Sequence, residues 1–158
     1  MPMARVNGIN INYKVEGQGE PLVMLMGLSA ALGAWSSQVP LLKKYYRVIR
    51  LDNRGAGKSD KPAGPYTTKM MADDTVGLMD HLGIEKANFM GVSMGGMIAQ
   101  EIAINYPQRV NKLILASTYA CNDNGPERRA GRLEQSSPPP EAVLHGHQTG
   151  QPGSRKVR

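Results

Sequence analysis

The stretch Phe89-Met90-Gly91-Val92-Ser93-Met94-Gly95-Gly96 restricts the fold more than any other, because it reads as the end of a strand, a tight turn and the start of a helix. Gly91 and Gly95 bracket Ser93 in a G-x-S-x-G pattern. In that pattern a sharp turn lifts the serine hydroxyl above the sheet, and the missing Cβ atoms let strand and helix pack closely. Gly96 adds room on the same side. The flanks supply the context the pattern needs: Ala87 to Val92 is a short apolar run suited to a buried parallel strand, and Met97, Ile98, Glu101, Ile102 and Ile104 follow at helical spacing up to Pro107. Ser93 is therefore a candidate nucleophile. The competing reading of the same residues is a glycine-rich strand-to-helix turn with a structural serine.

The rest of the chain can be arranged around this turn. Arg5 to Tyr13 alternates about Asn7-Gly8, a pair suited to positive φ, which predicts an antiparallel hairpin with Ile9, Ile11 and Tyr13 on one face. Leu22 to Met26 is a continuous apolar strand ending at Gly27, the kind of run found in a sheet covered on both faces. After the loop Leu28 to Gly33, the segment Ala34 to Lys44 is predicted to be a crossover helix whose apolar face is Trp35, Val39 and Leu42, with Pro40 disturbing its first turn. Arg47 to Leu51 is the next strand. Thr68 is the predicted N-cap of a helix reaching Leu82, with Gly83 past its end. His81 falls in the last turn of that helix, where an imidazolium favours the dipole, so it is read as a surface or packing residue rather than a base. Asn111 to Ser117 is the last strand. This alternation specifies an α/β fold, a mostly parallel sheet with right-handed crossovers.

Several other functions are disfavoured. Gly57-Lys58-Ser59 after a strand imitates the tail of a phosphate-binding loop, but Asp52 stands where that loop needs its first glycine, and Pro62, Gly64 and Pro65 follow where a helix should open. A carboxylate there would repel a phosphate. The net charge of +6 comes from basic residues scattered over turns and helix faces, with no stripe to follow a nucleic-acid backbone. The lone Cys121 excludes an internal disulfide, no Cys/His cluster has metal-ligand spacing, and no cofactor motif is present. The longest apolar run, around Leu22 to Leu28, is too short to span a bilayer, and residues 1–10 lack the apolar core of a signal peptide. A cytoplasmic protein without nucleic-acid or membrane partners is the expectation.

From about residue 121 the composition changes. Pro126 to Gln135 is expected to begin a helix, since proline suits the first turn and Glu127 sits near its positive end. Beyond Ser136 the apolar pattern stops, Pro138-Pro139-Pro140 intervenes, and residues 136–158 are expected to form a disordered tail rich in Pro, Gly and Arg. Residues 1–120 would then be the folded core.

Taken together, the hairpin, the strand ending Met26-Gly27-Leu28, the loop Asp52-Asn53-Arg54-Gly55-Ala56-Gly57-Lys58-Ser59-Asp60 and the turn at Ser93 resemble the α/β-hydrolase family over roughly residues 4–135. The run Gly91 to Gln100 is most similar to small esterase and enol-lactonase-type members. The resemblance implies the N-terminal part of that fold, cut off after about the sixth strand. It also implies a serine hydrolase that opens a carboxylic ester, thioester or lactone through an acyl-enzyme. The backbone N–H groups of Leu28 and Met94 would be the oxyanion donors; Met94 lies at a helix N-terminus, where unpaired amides and the dipole favour negative charge. Members that open epoxides or remove halide place a carboxylate where this chain has Ser93. Members often have His where this chain has Met26.

A serine hydroxyl needs an imidazole to take its proton and an acid to orient that imidazole. In the family both follow on later strands. Asp123 and either His145 or His147 come in the right order, but a Pro/Gly-rich tail has no strand to hold a base rigidly. The polypeptide is therefore expected to be catalytically incomplete. The alternative is a non-catalytic fragment or binding module on the same half-sheet, and the uncovered last strand is expected to favour self-association.

Overall fold

The computed structural model of the protein describes residues 2–120. The helix expected over Pro126 to Gln135, the expected tail, Cys121, Asp123, His145 and His147 lie outside the described residues. The chain opens with a hairpin of β1 (Met3–Val6) and β2 (Ile9–Glu16), paired antiparallel with Val6 opposite Ile9. Asn7 and Gly8 form its turn at φ 46° and 80°, the positive values that match the twist of the flanking strands.

Six strands make one sheet in the order β1-β2-β4-β3-β5-β6, where β3 is Glu20–Leu25, β4 Tyr46–Leu51, β5 Ala87–Val92 and β6 Val110–Ala116. The hairpin joins antiparallel through β2 and β4, and the remaining pairs are parallel. The chain leaves β3 toward β4 on one side and later returns to place β5 on the other. The carboxyl ends of β3 and β5 therefore flank the point where the strand order reverses, the position where open α/β sheets bind ligands. The loop containing Leu28 and the turn containing Ser93 both rise from it.

One face of the sheet is covered by α2 (Thr68–His81) and α3 (Met94–Asn105), which enclose a core around Phe89, Leu25, Ile49, Ile11, Ile98 and Leu78. The other face buries Leu22, Met24 and Val48 under Trp35 and Val39. The helix expected over Ala34 to Lys44 is instead a 3-10 turn, Leu32–Trp35, followed by a single helical turn, α1 (Val39–Leu42). Pro40 explains the break: at the start of α1 its missing N–H costs nothing, but it cannot bond back to the preceding turn. Trp35, Val39 and Leu42 still face the sheet as expected. The N-cap of α2 is Thr67 rather than Thr68, because Thr67 has the extended backbone (φ −121°) that lets its hydroxyl accept from Met70 N–H at 3.1 Å. Thr68 is the first helical residue and is buried. His81, at the end of α2, sets its ring edge-on to Tyr13 with centroids 6.1 Å apart, a packing contact.

β6 is an edge strand whose outer side has no partner among the described residues. Ile114 and Leu115, on its two faces, are 47% and 42% exposed. At the opposite edge two buried charges tie the layers together. Arg54 grips Asp74 of α2 with bonds of 2.6 and 2.7 Å, and Asp74 also accepts from Asn7 in the hairpin turn at 3.1 Å. The hydrogen bond with Asp74 raises the Arg54 pKa despite burial. Arg50, also buried, pairs with Glu16. Burial pushes the Glu16 carboxyl up, but hydrogen bonds from Arg50 and Lys14 outweigh it and hold the group below its ordinary pKa.

Removing one partner of a buried pair leaves the other charge uncompensated. Asp74→Ala is therefore expected to lower unfolding free energy by about 3–5 kcal/mol in urea titrations, whereas Arg54→Met with Asp74→Leu should recover most of that loss. A lowered folded pKa stabilises above the unfolded pKa and is lost as pH falls through the folded one. The stability difference between wild type and Glu16→Gln should accordingly be present at neutral pH and shrink as pH drops below about 4; a difference independent of pH would contradict the Arg50 pairing.

Candidate active site

The candidate site is built by close approach of backbones. Ser93 sits between β5 and α3 with φ 54° and ψ −124°, a conformation that an L-residue holds at a cost of about 1–3 kcal/mol. Its neighbours enforce it: Ser93 N–H donates to Ala116 O at 3.1 Å, and Gly96 N–H donates to Ser93 O at 2.9 Å. The glycines around it are contacts rather than flexible points. A Cβ on Gly95 would collide with the Leu25 carbonyl and lie 2.9 Å from Met26 O, so the first turn of α3 rests directly on the end of β3. A Cβ on Gly91 would lie 2.6 Å from Gly95 C, and one on Gly96 2.6 Å from Thr118 Cβ.

These contacts bring the candidate residues together. Gly27 lies against the serine, since a Cβ added there would be 3.3 Å from Ser93 Cβ and 3.6 Å from its Oγ. Leu28 follows it in the chain and is 60% exposed. Met94 is the first residue of α3, so its N–H has no intrahelical carbonyl to meet. Ser93 itself is exposed. The single histidine of the described residues, His81, is engaged with Tyr13. Among the described residues no group of three or more His, Cys, Asp or Glu side chains could hold a metal ion, and no helix is long and apolar enough to cross a membrane.

The loop that imitates a phosphate-binding loop already encloses an anion of its own. Asp52, 2% exposed, accepts from Asn12 Nδ2 at 2.7 Å, Lys58 N–H at 2.8 Å and Leu32 N–H at 2.6 Å. A Cβ on Gly57 would run into this carboxylate. Of the loop's own amides, Lys58 N–H is spent on Asp52, while those of Gly55, Ala56 and Ser59 donate to the carbonyls of Asp60, Asn53 and Ala56, so none of these four is left to hold a phosphate. Arg50, Asp52 and Asn53 are not expected at the site from the sequence; the one signal for them is the polar run Asp52-Asn53-Arg54 directly after a strand.

A family model described as the alpha/beta hydrolase fold matches residues 20–141. This chain belongs to that family. It is 39% identical over 114 residues to a 3-oxoadipate enol-lactonase 2 of Acinetobacter baylyi, covering 71% of this chain and 43% of that relative. Among solved structures, the enol-lactonase from Burkholderia xenovorans is 39% identical with a TM-score of 0.72, the match covering 74% of this chain and 46% of the other. A thermophilic esterase from Thermogutta terrifontis is 34% identical with a TM-score of 0.75, over 78% of this chain and 48% of the other. The chain thus spans less than half the length of the relatives it matches.

The packing at the turn makes its own prediction. Gly95→Ala should force the start of α3 away from β3 and cost about 1–3 kcal/mol through overpacking. Gly33→Ala, where a Cβ meets nothing within 4 Å, should change stability by less than about 0.5 kcal/mol. Thermal melts of the two chains side by side decide this; equal melting temperatures would rule out the close contact.

Proposed function

We propose that this chain carries the nucleophile and oxyanion half of a serine hydrolase acting on a small carboxylic ester, thioester or lactone. Ser93 Oγ attacks the acyl carbon and passes its proton to a base, and the carbonyl oxygen gains negative charge facing the N–H groups of Leu28 and Met94. Collapse of this tetrahedral species expels the protonated alcohol or thiol, or opens the lactone, and leaves an acyl-Ser93 that water hydrolyses. The observation that carries the reading is the strained, exposed serine at the start of α3 with Gly27 directly against it. Strain of this kind persists where surroundings enforce it, and it clusters at active sites. The lactonase and esterase activities named for the relatives agree with this reading.

In this reading the base is a group outside the described residues, since their single histidine, His81, lies at the far end of α2 packed edge-on against Tyr13. That same observation favours the second reading, a non-catalytic module on this half-sheet. Loss of triad members in serine enzymes costs a factor on the order of 10⁴ to 10⁶, so the isolated chain is expected to hydrolyse p-nitrophenyl esters at close to background. The decisive measurement is intact-mass detection of a fluorophosphonate adduct on wild type and Ser93→Ala, with and without added imidazole as a replacement base. One adduct per chain, accelerated by imidazole and absent from Ser93→Ala, is the expected result. Labelling that survives Ser93→Ala, or none even with imidazole, would leave the binding module as the better reading.

A further inference from the structure

The segment from Met26 to Leu32, which carries Leu28, has little of its own to hold it. Leu28, Ser29 and Ala31 are exposed and Ala30 is only half-buried, so no side chain between the two ends is fully buried. Ser29 adopts φ 59°, the left-handed region that is costly for a residue with a Cβ, and the internal bond of the turn, Ala30 N–H to Gly27 O, is long at 3.3 Å. Left to itself, such a turn would relax.

Both ends are held by three buried side chains from the end of β4. Asn53 Nδ2 donates to Met26 O at 3.2 Å at the entry. At the exit, Asp52 Oδ1 accepts from Leu32 N–H at 2.6 Å while Arg50 Nη1 donates to Leu32 O at 3.1 Å, so both backbone groups of one residue are satisfied. Arg50, Asp52 and Asn53 are 4%, 2% and 3% exposed. Two of the three are fixed in turn. Arg50 pairs with Glu16, and Asp52 receives Asn12 and Lys58, while Ser59 Oγ bonds Asp52 O at 2.6 Å. Three polar side chains buried together beside an exposed loop indicate more than packing, since an apolar contact would hold a strand end at lower desolvation cost.

We infer that Arg50, Asp52 and Asn53 are positioning residues, a clamp that holds the Met26-to-Leu32 turn in the conformation presenting the Leu28 N–H beside Ser93. The inference rests on reading Leu28 as an oxyanion donor. The clamp itself can be judged without any catalysis, because its direct effect is on the mobility of this turn.

The test is hydrogen–deuterium exchange by mass spectrometry on the full chain, comparing wild type, Asn53→Ala and the isosteric Asn53→Asp at pH 7. Exchange in peptides spanning residues 27–32 is expected to rise about tenfold in Asn53→Ala, the loss of one hydrogen bond to local opening, with α3 and the hairpin still protected. Asn53→Asp keeps the shape but sets a carboxylate against Met26 O, so it should open the turn further than Asn53→Ala does. As pH falls through the carboxylate range, protonation gives that side chain a donor again. Protection relative to wild type at the same pH should then return in Asn53→Asp alone. A packing role has no such pH profile. Unchanged exchange in the turn, or equal loss of protection throughout the sheet, would overturn the clamp. If Asn53→Asp does not fold, Asn53→Ala decides by the same local-against-global comparison. A fluorophosphonate arm keeps the two readings apart: failure of wild type to label counts against Ser93 as nucleophile, while the exchange result still decides the clamp.

Discussion

A carboxylate taken out of water must be surrounded by donors, and the requirement of Asp52 organises the side of the sheet at the carboxyl ends of its parallel strands. Its three donors come from β2, from the segment before α1 and from the loop after β4, elements that are distant in sequence. The hairpin is held to the parallel part of the sheet partly through Asn12, which belongs to this cluster. Gly57 has no side chain because the carboxylate fills the space where one would be. The glycine-rich loop thus packs against a carboxylate of the chain itself, to which it contributes Lys58 N–H.

The second constraint is steric. β3 lies at the centre of the sheet, and the first turn of α3 approaches its carboxyl end until backbone meets backbone at Gly95. Such an approach leaves one conformation for the residue between β5 and α3, and Ser93 takes it against the intrinsic preference of a side chain with a Cβ. The exposure of the serine and the strain in its backbone have the same origin. Burial of Phe89, Leu25 and Ile98 on the helical face opposes that strain, as the apolar contacts are made only when α3 sits in this position.

The two faces of the sheet are unequally covered. α2 and α3 close one side, while a 3-10 turn and the one-turn α1 cover part of the other, where Met90 and Val92 stay half-buried. Ile114, paired with Met90 across the β5–β6 ladder, continues this apolar surface into the exposed edge.

Much of this was legible in the residues themselves. Asn7-Gly8 specified the hairpin because few pairs accept two positive φ values, and the apolar runs at Leu22 and Ala87 specified strands because short continuous runs of that kind suit a buried parallel sheet, with shorter apolar centres marking the strands at Arg47 and Asn111. The glycines around Ser93 announced a strand-turn-helix for the same kind of reason, that a local backbone shape admits few residue types. Where local signals were nearly equivalent, the sequence left the choice open. Thr67 and Thr68 are the same residue type, and only the direction in which the chain enters α2 selects Thr67 as the cap. Pro40 marked a disturbance of the early helix, and the tertiary structure places a full break there while Trp35 and Val39 keep their seats against the sheet. The roles of Arg50, Asp52 and Asn53 were beyond local reading altogether. A polar run after a strand looks like a solvated loop, and what buries it is contact with residues 18 to 40 positions away, which exists only once the sheet has formed.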